Sequence, residues 1–410
     1  MKIAVVTRYL HHVGGVETYL TAVLPSLIAH GNDLSVWHEF KAAANTAQIV
    51  APHVPSRCIG GDQEGALNDL KRAAPDVIFL HGLSDPALEH QLTAIAPLLV
   101  LLHAYHGTCV SEAKLHRYPR PQICDRPLGP GCLLRYFPRR CGGWNPVTMF
   151  ASYGKERRRQ TLLREWGLIA TLSAHMREEC IAQGVDPARV IHLPAFASPE
   201  ERLPEPEEPG ATRSRTEPPH LVFVGRMEAL KGGHLLLEAL EGLGSSVGPR
   251  LRVTFAGDGR ERARWEAQSK RVSARVDIRF VGWLSPSERS ALFRQAHLLV
   301  VPSIWPEPLG LVGLEAAAAG VPAVAFDVGG IRDWLADDVT GRLVPTPPIS
   351  SRGLAAAIAD CVSNPARLRS WGTAARASSR RRTVAAHITA LEDVLFRAAG
   401  TREEHLVPDS

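Results

Sequence analysis

Short apolar runs of strand length recur along the chain, each followed by a stretch whose apolar positions have helical spacing. In the first half they read IAVVT, DLSVW, DVIFL, LLVLL and IATLS, and in the second HLVFV, RVTFAG, DIRFVG, HLLVVP, PAVAF and GRLVP. Runs that are apolar throughout, rather than alternating, belong to strands buried on both faces, and the helices between them supply the crossovers of parallel sheets. The pattern predicts two α/β domains. It breaks at SPEERLPEPEEPGATRSRTEPP, which holds almost no apolar residue and cannot join a core, so residues 198–219 are expected to link a domain over 1–197 to a second over 220–379. A helical pattern around Thr383 to Ala398 places a C-terminal helix over 380–400, expected to pack back toward the first domain, and the polar end of the chain, 401–410, reads as a frayed tail.

Length and composition narrow the class. A chain of 410 residues exceeds one ordinary core, and 45% hydrophobic residues suffice to fill two. The net charge of +5, with Arg outnumbering Lys, is a mild bias toward anionic ligands rather than a nucleic-acid signature, so nucleic acid is not expected as a partner. The leading apolar run stops at Arg8, too early for a signal peptide, and AIAPLLVLL is interrupted by Pro97 and falls short of the ~20 residues that span a bilayer. The expectation is a monomeric cytoplasmic protein with no transmembrane segment.

Candidate chemistry concentrates in EPLGLVGLE. Pro308 disfavours helix at Glu307 and suits a helix start, so a helix is expected to open here, with Leu309, Gly310 and Leu311 offering free N–H groups to a phosphate. Glu307 would stand before that helix mouth, and Glu315 would project back toward it. Carboxylates on both sides of a phosphate site suit the layout of a nucleotide-sugar: hexose, diphosphate, ribose. A pair of solvated glutamates is the competing reading. Upstream, VFVGRMEALKGG puts Arg226 and Lys231 just past a strand end, where two cations can clamp a diphosphate without a metal; a loop of solvated basic residues competes. FAGDGRER reads as simple strand-to-helix turning, and the backbone of VGWLSPSE could meet a nucleobase edge.

In the first half, VTRYLHHVGGVETYL sets Gly14 and Gly15 between a strand and an amphipathic helix, where backbone can approach a phosphate or sugar. The stretch is not the G-x-G-x-x-G fingerprint and no acid is placed for an NAD ribose, which disfavours a dehydrogenase. LLVLLHAYHGTC sets His103 immediately after a buried strand, able to donate a hydrogen bond to a sugar or phosphate oxygen or merely to cap the strand; His106 follows it, and His81 is a weaker candidate of the same kind. Cys109, Cys124, Cys132 and Cys141 cluster in the segment that follows. In a reducing compartment they suggest a structural zinc site, or else free thiols, because no Cys-x-x-Cys knuckle is present. The basic stretch GKERRRQTLLREW carries Lys155, Arg157, Arg158, Arg159 and Arg164, which could face acidic lipid headgroups or a lipid-diphosphate acceptor, or form an ordinary solvated helix face.

The run PSIWPEPLGLVGLEAAAAGVPAVAFDVGGIRDWLADDVTGRLVP, with VFVGRMEALKGG before it and GGVE near the start, resembles the family 4 retaining glycosyltransferases of GT-B architecture. The resemblance implies two Rossmann-like parallel-sheet domains facing across a cleft, with an acceptor-binding domain first and a nucleotide-sugar-binding domain second. It implies that a hexosyl group passes from a UDP-, GDP- or dTDP-sugar to a hydroxyl of a saccharide or lipid-linked acceptor, with no metal required. By motif, Arg226 and Lys231 resemble the diphosphate ligands, Glu307 the hexose ligand and Glu315 the ribose ligand. Gly15 resembles a backbone contact to the diphosphate, and His103 a histidine beside the donor sugar. The chain departs from the pattern at Ala104, where relatives often carry an aspartate, at Ala317 in place of a methionine, and in a Cys-containing insertion at about 104–146. A nucleotide-sugar epimerase and a non-catalytic nucleotide-sugar-binding regulator are the rival readings. Peripheral contact with the inner face of a membrane fits the lipid-linked acceptor.

Overall fold

The computed structural model describes residues 1–11, 13–41, 48–197, 218–243, 251–272 and 276–404. The polypeptide forms two units, one comprising 1–114, 125–195 and 384–410, the other 115–124 and 196–383. Most of the expected linker and the last six residues lie outside the described residues.

The first unit is built on strands β1 (Lys2–Thr7), β2 (Asp33–His38), β3 (Ser56–Cys58), β4 (Val77–Leu80) and β5 (Leu98–Leu102), with a short hairpin β6 (Leu115–His116) and β7 (Gln122–Ile123) assigned to the second unit, then β8 (Leu168–Thr171) and β9 (Val190–His192). Its seven-stranded sheet runs β3-β2-β1-β4-β5-β8-β9, every pairing parallel. Its helices are α1 (Gly15–Ala29), α2 (Gln63–Ala73), α3 (Pro86–Thr93), α4 (Gly131–Tyr136), α5 (Pro146–Glu165) and α6 (Ala174–Ala182). The second unit holds β10 (His220–Val224), α7 (Gly233–Leu243), β11 (Leu251–Ala256), α8 (Arg262–Ser269), β12 (Val276–Gly282), α9 (Pro286–Gln295), β13 (Leu298–Val301), α10 (Leu311–Ala318), β14 (Ala323–Phe326), β15 (Gly341–Val344), α11 (Ser351–Ser363) and α12 (Pro365–Arg380). Its parallel sheet runs β12-β11-β10-β13-β14-β15. The last helix, α13 (Val384–Glu404), packs on α1, β4 and β5 of the first unit.

The apolar runs bury as their composition dictates: β4, β5, β13 and β14 are buried at every residue. Only the edge strand β12 alternates between half-buried and exposed positions. In each sheet the strand order reverses beside the first strand, between β1 and β4 and between β10 and β13. Neighbouring crossovers diverge at that point and leave a crevice outside the carboxyl ends of the strands, which is where ligands bind in open α/β sheets. Among the described residues no helix is long and apolar enough to cross a membrane.

Candidate active site

In the second unit the reversal point brings two loops together. The loop after β10 carries Arg226 and Lys231, and the loop after β13 carries Ser303, Trp305 and Glu307. Gly232 is what lets them touch. It adopts φ 70°, and a Cβ there would lie 1.7 Å from the Pro302 carbonyl oxygen, so any other residue would hold the loops apart. The N–H of Ile304 donates to the Leu230 carbonyl at 2.9 Å and closes the contact.

Lys231 thereby meets Glu307. Its Nζ lies 2.8 Å from Oε1 and 2.9 Å from Oε2 of the buried carboxylate, and 5.5 Å from the centre of the Trp305 ring. Ser303 Oγ donates to Glu307 Oε1. The residues expected to hold diphosphate and hexose thus pair with each other. Arg226 is exposed, with no ion-pair partner among the described residues, and its loop is tied to the loop after β11 by Met227 N–H donating to the Asp258 carbonyl at 2.7 Å.

The helix mouth is displaced from its expected place. Helix α10 begins at Leu311, so Pro308 and Leu309 lie outside it and Gly310 is the N-cap residue, at φ 85°. Trp334 is the physical reason. Its Nε1 donates to the Leu309 carbonyl at 2.8 Å, and a Cβ on Gly313 would come within 2.3 Å of the indole, so the ring and the left-handed glycine set the helix start together. Leu311 and Val312 open the helix with N–H groups that have no acceptor among the described residues. Glu315, on the same helix, is held side-on by Arg289 of α9, with Nε 2.6 Å from Oε2 and Nη2 3.1 Å from Oε1. Burial raises the Glu315 pKa, and the Arg289 charge works against that rise.

In the first unit, Gly14 caps α1 in an extended conformation and Gly15 is its first residue. The Gly14 N–H is already taken by Glu17 Oε2 at 2.7 Å. His103 follows β5 and lies 2.9 Å, Nε2 to Nδ1, from His81, which follows β4. His81 Nε2 is buried and has no hydrogen-bond partner among the described residues. An unmet lone pair costs less than an unmet N–H, so the His81 proton belongs on Nδ1, donating to His103 Nε2. His103 then carries its own proton on Nδ1 and is set as a donor. His81 supplies the orientation that Ala104 cannot. Tyr19 stands edge-on to His103 with ring centres 5.6 Å apart, and its hydroxyl lies 2.8 Å from His387 Nε2. His387 Nδ1 is 2.9 Å from the Pro194 carbonyl and must donate to it, so Tyr19 donates to His387.

Burial, reinforced by the neighbouring His106, pushes the His103 pKa down to about 3, and burial with His103 holds His81 well below the usual range. In the unfolded chain both titrate near the ordinary ~6.5. Between that value and about 3 the unfolded state takes up a proton that folded His103 refuses, so stability falls as pH falls through this window and is insensitive to His103 above it. The expected slope is up to ~1.4 kcal/mol per pH unit for each such proton. Urea unfolding at stepped pH should show His103→Gln with a shallower acid loss than the parent. An identical slope would show that the imidazole ionises as readily folded as unfolded.

The four cysteines do not gather. Cys109 Sγ accepts from Lys114 N–H at 3.4 Å, and Cys141 packs with Cys132, Tyr136 and Met149. Among the described residues no three of these thiols come together as the expected zinc site would need, and Cys132 and Cys141 serve as apolar packing between α4 and α5. Among the described residues only His106, Glu112 and Glu156 bring three ligand atoms within 4.8 Å of one another, and Arg159 and Lys155 already neutralise that group. Trp305, Ser303 and Trp334 lie inside or beside the quoted motifs without having been singled out. Arg289 carries no sequence signal at all, because its pairing with Glu315 exists only once α9 and α10 are packed.

Residues 204–378 match the family model for glycosyl transferases group 1. A glycogen synthase of Mycobacterium tuberculosis is 36% identical over 218 residues, 52% of this chain and 50% of that protein. The chain thus spans about half the length of the curated relatives it matches. Among solved structures, Anabaena HepE in complex with UDP and glucose superposes with TM-score 0.69 and 18% identity over 96% of this chain and 99% of its own. The sucrose-phosphate synthase of Thermosynechococcus elongatus superposes with TM-score 0.70 and 19% identity, covering 97% and 99%. The fold is GT-B. Two Rossmann-like parallel sheets, foreseen from the apolar runs, are what the GT-B glycosyltransferases share with this chain.

Proposed function

We propose that the protein is a retaining glycosyltransferase that moves a hexosyl group from a nucleotide-sugar, UDP-hexose first among the candidates, to a hydroxyl of a saccharide or lipid-linked acceptor. The observation that carries this reading is the Lys231–Glu307 pair at the reversal point of the second sheet, beside the open N–H groups of Leu311 and Val312. The group 1 family match over the same half of the chain, and the UDP and glucose bound by HepE, support the donor class.

In this mechanism the donor diphosphate draws Lys231 away from Glu307 and engages Arg226 and the α10 N-terminus. These groups stabilise the negative charge that develops as the nucleoside diphosphate departs, the work a metal does elsewhere. Glu307, released, accepts hydroxyls of the hexose, and Glu315, fixed by Arg289, accepts the ribose hydroxyls. The partners of the Glu307 carboxylate are a lysine and a serine rather than a second acid, which favours same-face attack over double displacement through a carboxylate nucleophile. The leaving phosphate then takes the acceptor proton. His103, a donor through Nδ1, lends a hydrogen bond to the sugar or phosphate.

Thermal shift with UDP-, GDP- and dTDP-hexoses tests the donor. One of them should raise the unfolding temperature, and Lys231→Ala and Arg226→Ala should each weaken that donor by about tenfold or more. Unchanged affinity in both variants would discredit the clamp. An epimer formed from donor alone would favour the epimerase, and binding without transfer across a broad acceptor panel would favour the regulator.

A further inference from the structure

Three of the five cations in the basic stretch of α5 are engaged within the protein, and Arg158 is exposed. Arg159 is turned into the core, Arg164 donates through Nε and Nη2 to the Gln183 carbonyl at 2.9 and 2.7 Å, and Lys155 lies 3.6 Å from Glu112. The first half of the same helix has the opposite character. Val147, Phe150, Ala151, Gly154 and Arg158 share one helical face, and all are exposed, Val147 at 75% and Phe150 at 59%. Leu134 of α4, which packs against α5, is 79% exposed, and Trp144 between the two helices is 68% exposed. These side chains are outside by construction: the small core that joins α4 to α5 is filled by Tyr136, Cys141 and Met149 from the opposite faces.

Basic residues accompany the apolar face. Arg140 lies over the Trp144 ring at 5.3 Å, Phe137 stacks on it with planes 13° apart, and Arg135, Arg139 and Arg158 stand nearby in sequence. From Arg126 to Lys155 the chain contains no Asp or Glu. We infer that the α4–α5 face docks on the surface of an anionic lipid bilayer, with Leu134, Trp144, Val147 and Phe150 entering the headgroup boundary and the arginines meeting lipid phosphates. Exposed large apolar side chains with an arginine on one of them, in a segment that holds further arginines and no acids, have the composition of an interfacial anchor. A second copy of the chain is a poor occupant, because two such faces would bring like charges together.

Sedimentation of the full chain with vesicles tests this, using phosphatidylcholine alone and with about a third phosphatidylglycerol, a range in which surface charge governs basic segments. The chain should sediment with the anionic vesicles and be released by high salt. Arg139→Gln with Arg140→Gln should lower partitioning about thirtyfold, and Val147→Ser with Phe150→Ser about tenfold or more, both with unchanged thermal unfolding. Trp144→Ser, in a loop, gives the same readout if the helix variant fails to fold. Failure to bind anionic vesicles, or binding indifferent to these substitutions, would overturn the inference. So would a dimer in gel filtration that the apolar variant dissociates while vesicle binding stays absent. Donor binding is a property of the other unit, so none of these results bears on the proposed chemistry.

Discussion

Glu307→Gln is expected to lower turnover by about a thousandfold or more while weakening donor binding by less than about tenfold. The asymmetry follows from where the carboxylate sits. Its side chain is 5% exposed and both oxygens are committed, to Lys231 at 2.8 and 2.9 Å and to Ser303, while Lys231 keeps 23% of its side chain exposed. A buried acceptor that loses its cation to an arriving diphosphate must be met by other donors, and in the proposed mechanism the hexose hydroxyls are those donors. Glutamine keeps the shape but turns an NH₂ toward the lysine ammonium, so one donor faces another. Removing the carboxylate leaves Lys231 able to rehydrate, and the cost to stability should stay near ~1–2 kcal/mol, below that of breaking a fully buried pair. Initial rates with calorimetric donor affinity separate the effects. Near-normal turnover would refute the role, and equal losses in affinity and turnover would reduce Glu307 to a strut for Lys231.

The sheets were legible because their strands are buried on both faces: IAVVT, LLVLL and HLLVVP can be little else than central parallel strands. The site was legible in outline for the same reason, since glycines and charges just past strand ends fall at the one edge where an open sheet binds ligands. What the sequence could not convey was pairing at a distance. Pro308 carries a genuine helix-start signal, yet Trp334, twenty-six positions later, holds the Leu309 carbonyl out of the helix and moves its start to Leu311. The same holds for Arg289 on Glu315 and for His81 on His103. In each case a group from another element fixes the state of a motif residue. The cysteines show the converse error: four thiols close in sequence do not bring three ligand atoms together in the fold, and Cys132 and Cys141 serve instead in the small core around Tyr136 and Met149.

Arg159→Ala is expected to cost about 3–5 kcal/mol of stability, the largest loss among the substitutions considered. The sequence places Arg159 in a solvated basic run, but its helical position turns it inward, 1% exposed. Its Nε lies 3.1 Å from Glu89 Oε2 and its Nη1 3.0 Å from Glu156 Oε1, both carboxylates equally buried, and Nη2 donates to the Leu83 carbonyl. The second oxygen of each acid is also used, Glu89 accepting from Leu83 N–H at 2.7 Å and Glu156 from Gly107 N–H at 2.6 Å. One guanidinium therefore ties together the turn after β4, helix α3, the loop after β5 and α5. Burial opposes the Arg159 charge, but Glu89 and Glu156 outweigh it and raise its pKa. Burial, with a smaller push from the Glu112 charge, raises that of Glu156 against the lowering pull of Arg159. Without Arg159 two buried carboxylates face one another with no cation between them, and Lys155, 3.9 Å from Glu156, cannot reach both. Arg159→Lys should lose less, since it keeps the charge while giving up the planar fork that serves three acceptors at once. Urea unfolding of the single variants and of the combination with Glu89→Gln and Glu156→Gln forms the decisive cycle: the neutralised background should recover much of the Arg159→Ala loss. Additive losses would mean that the arginine acts through its aliphatic packing rather than its charge.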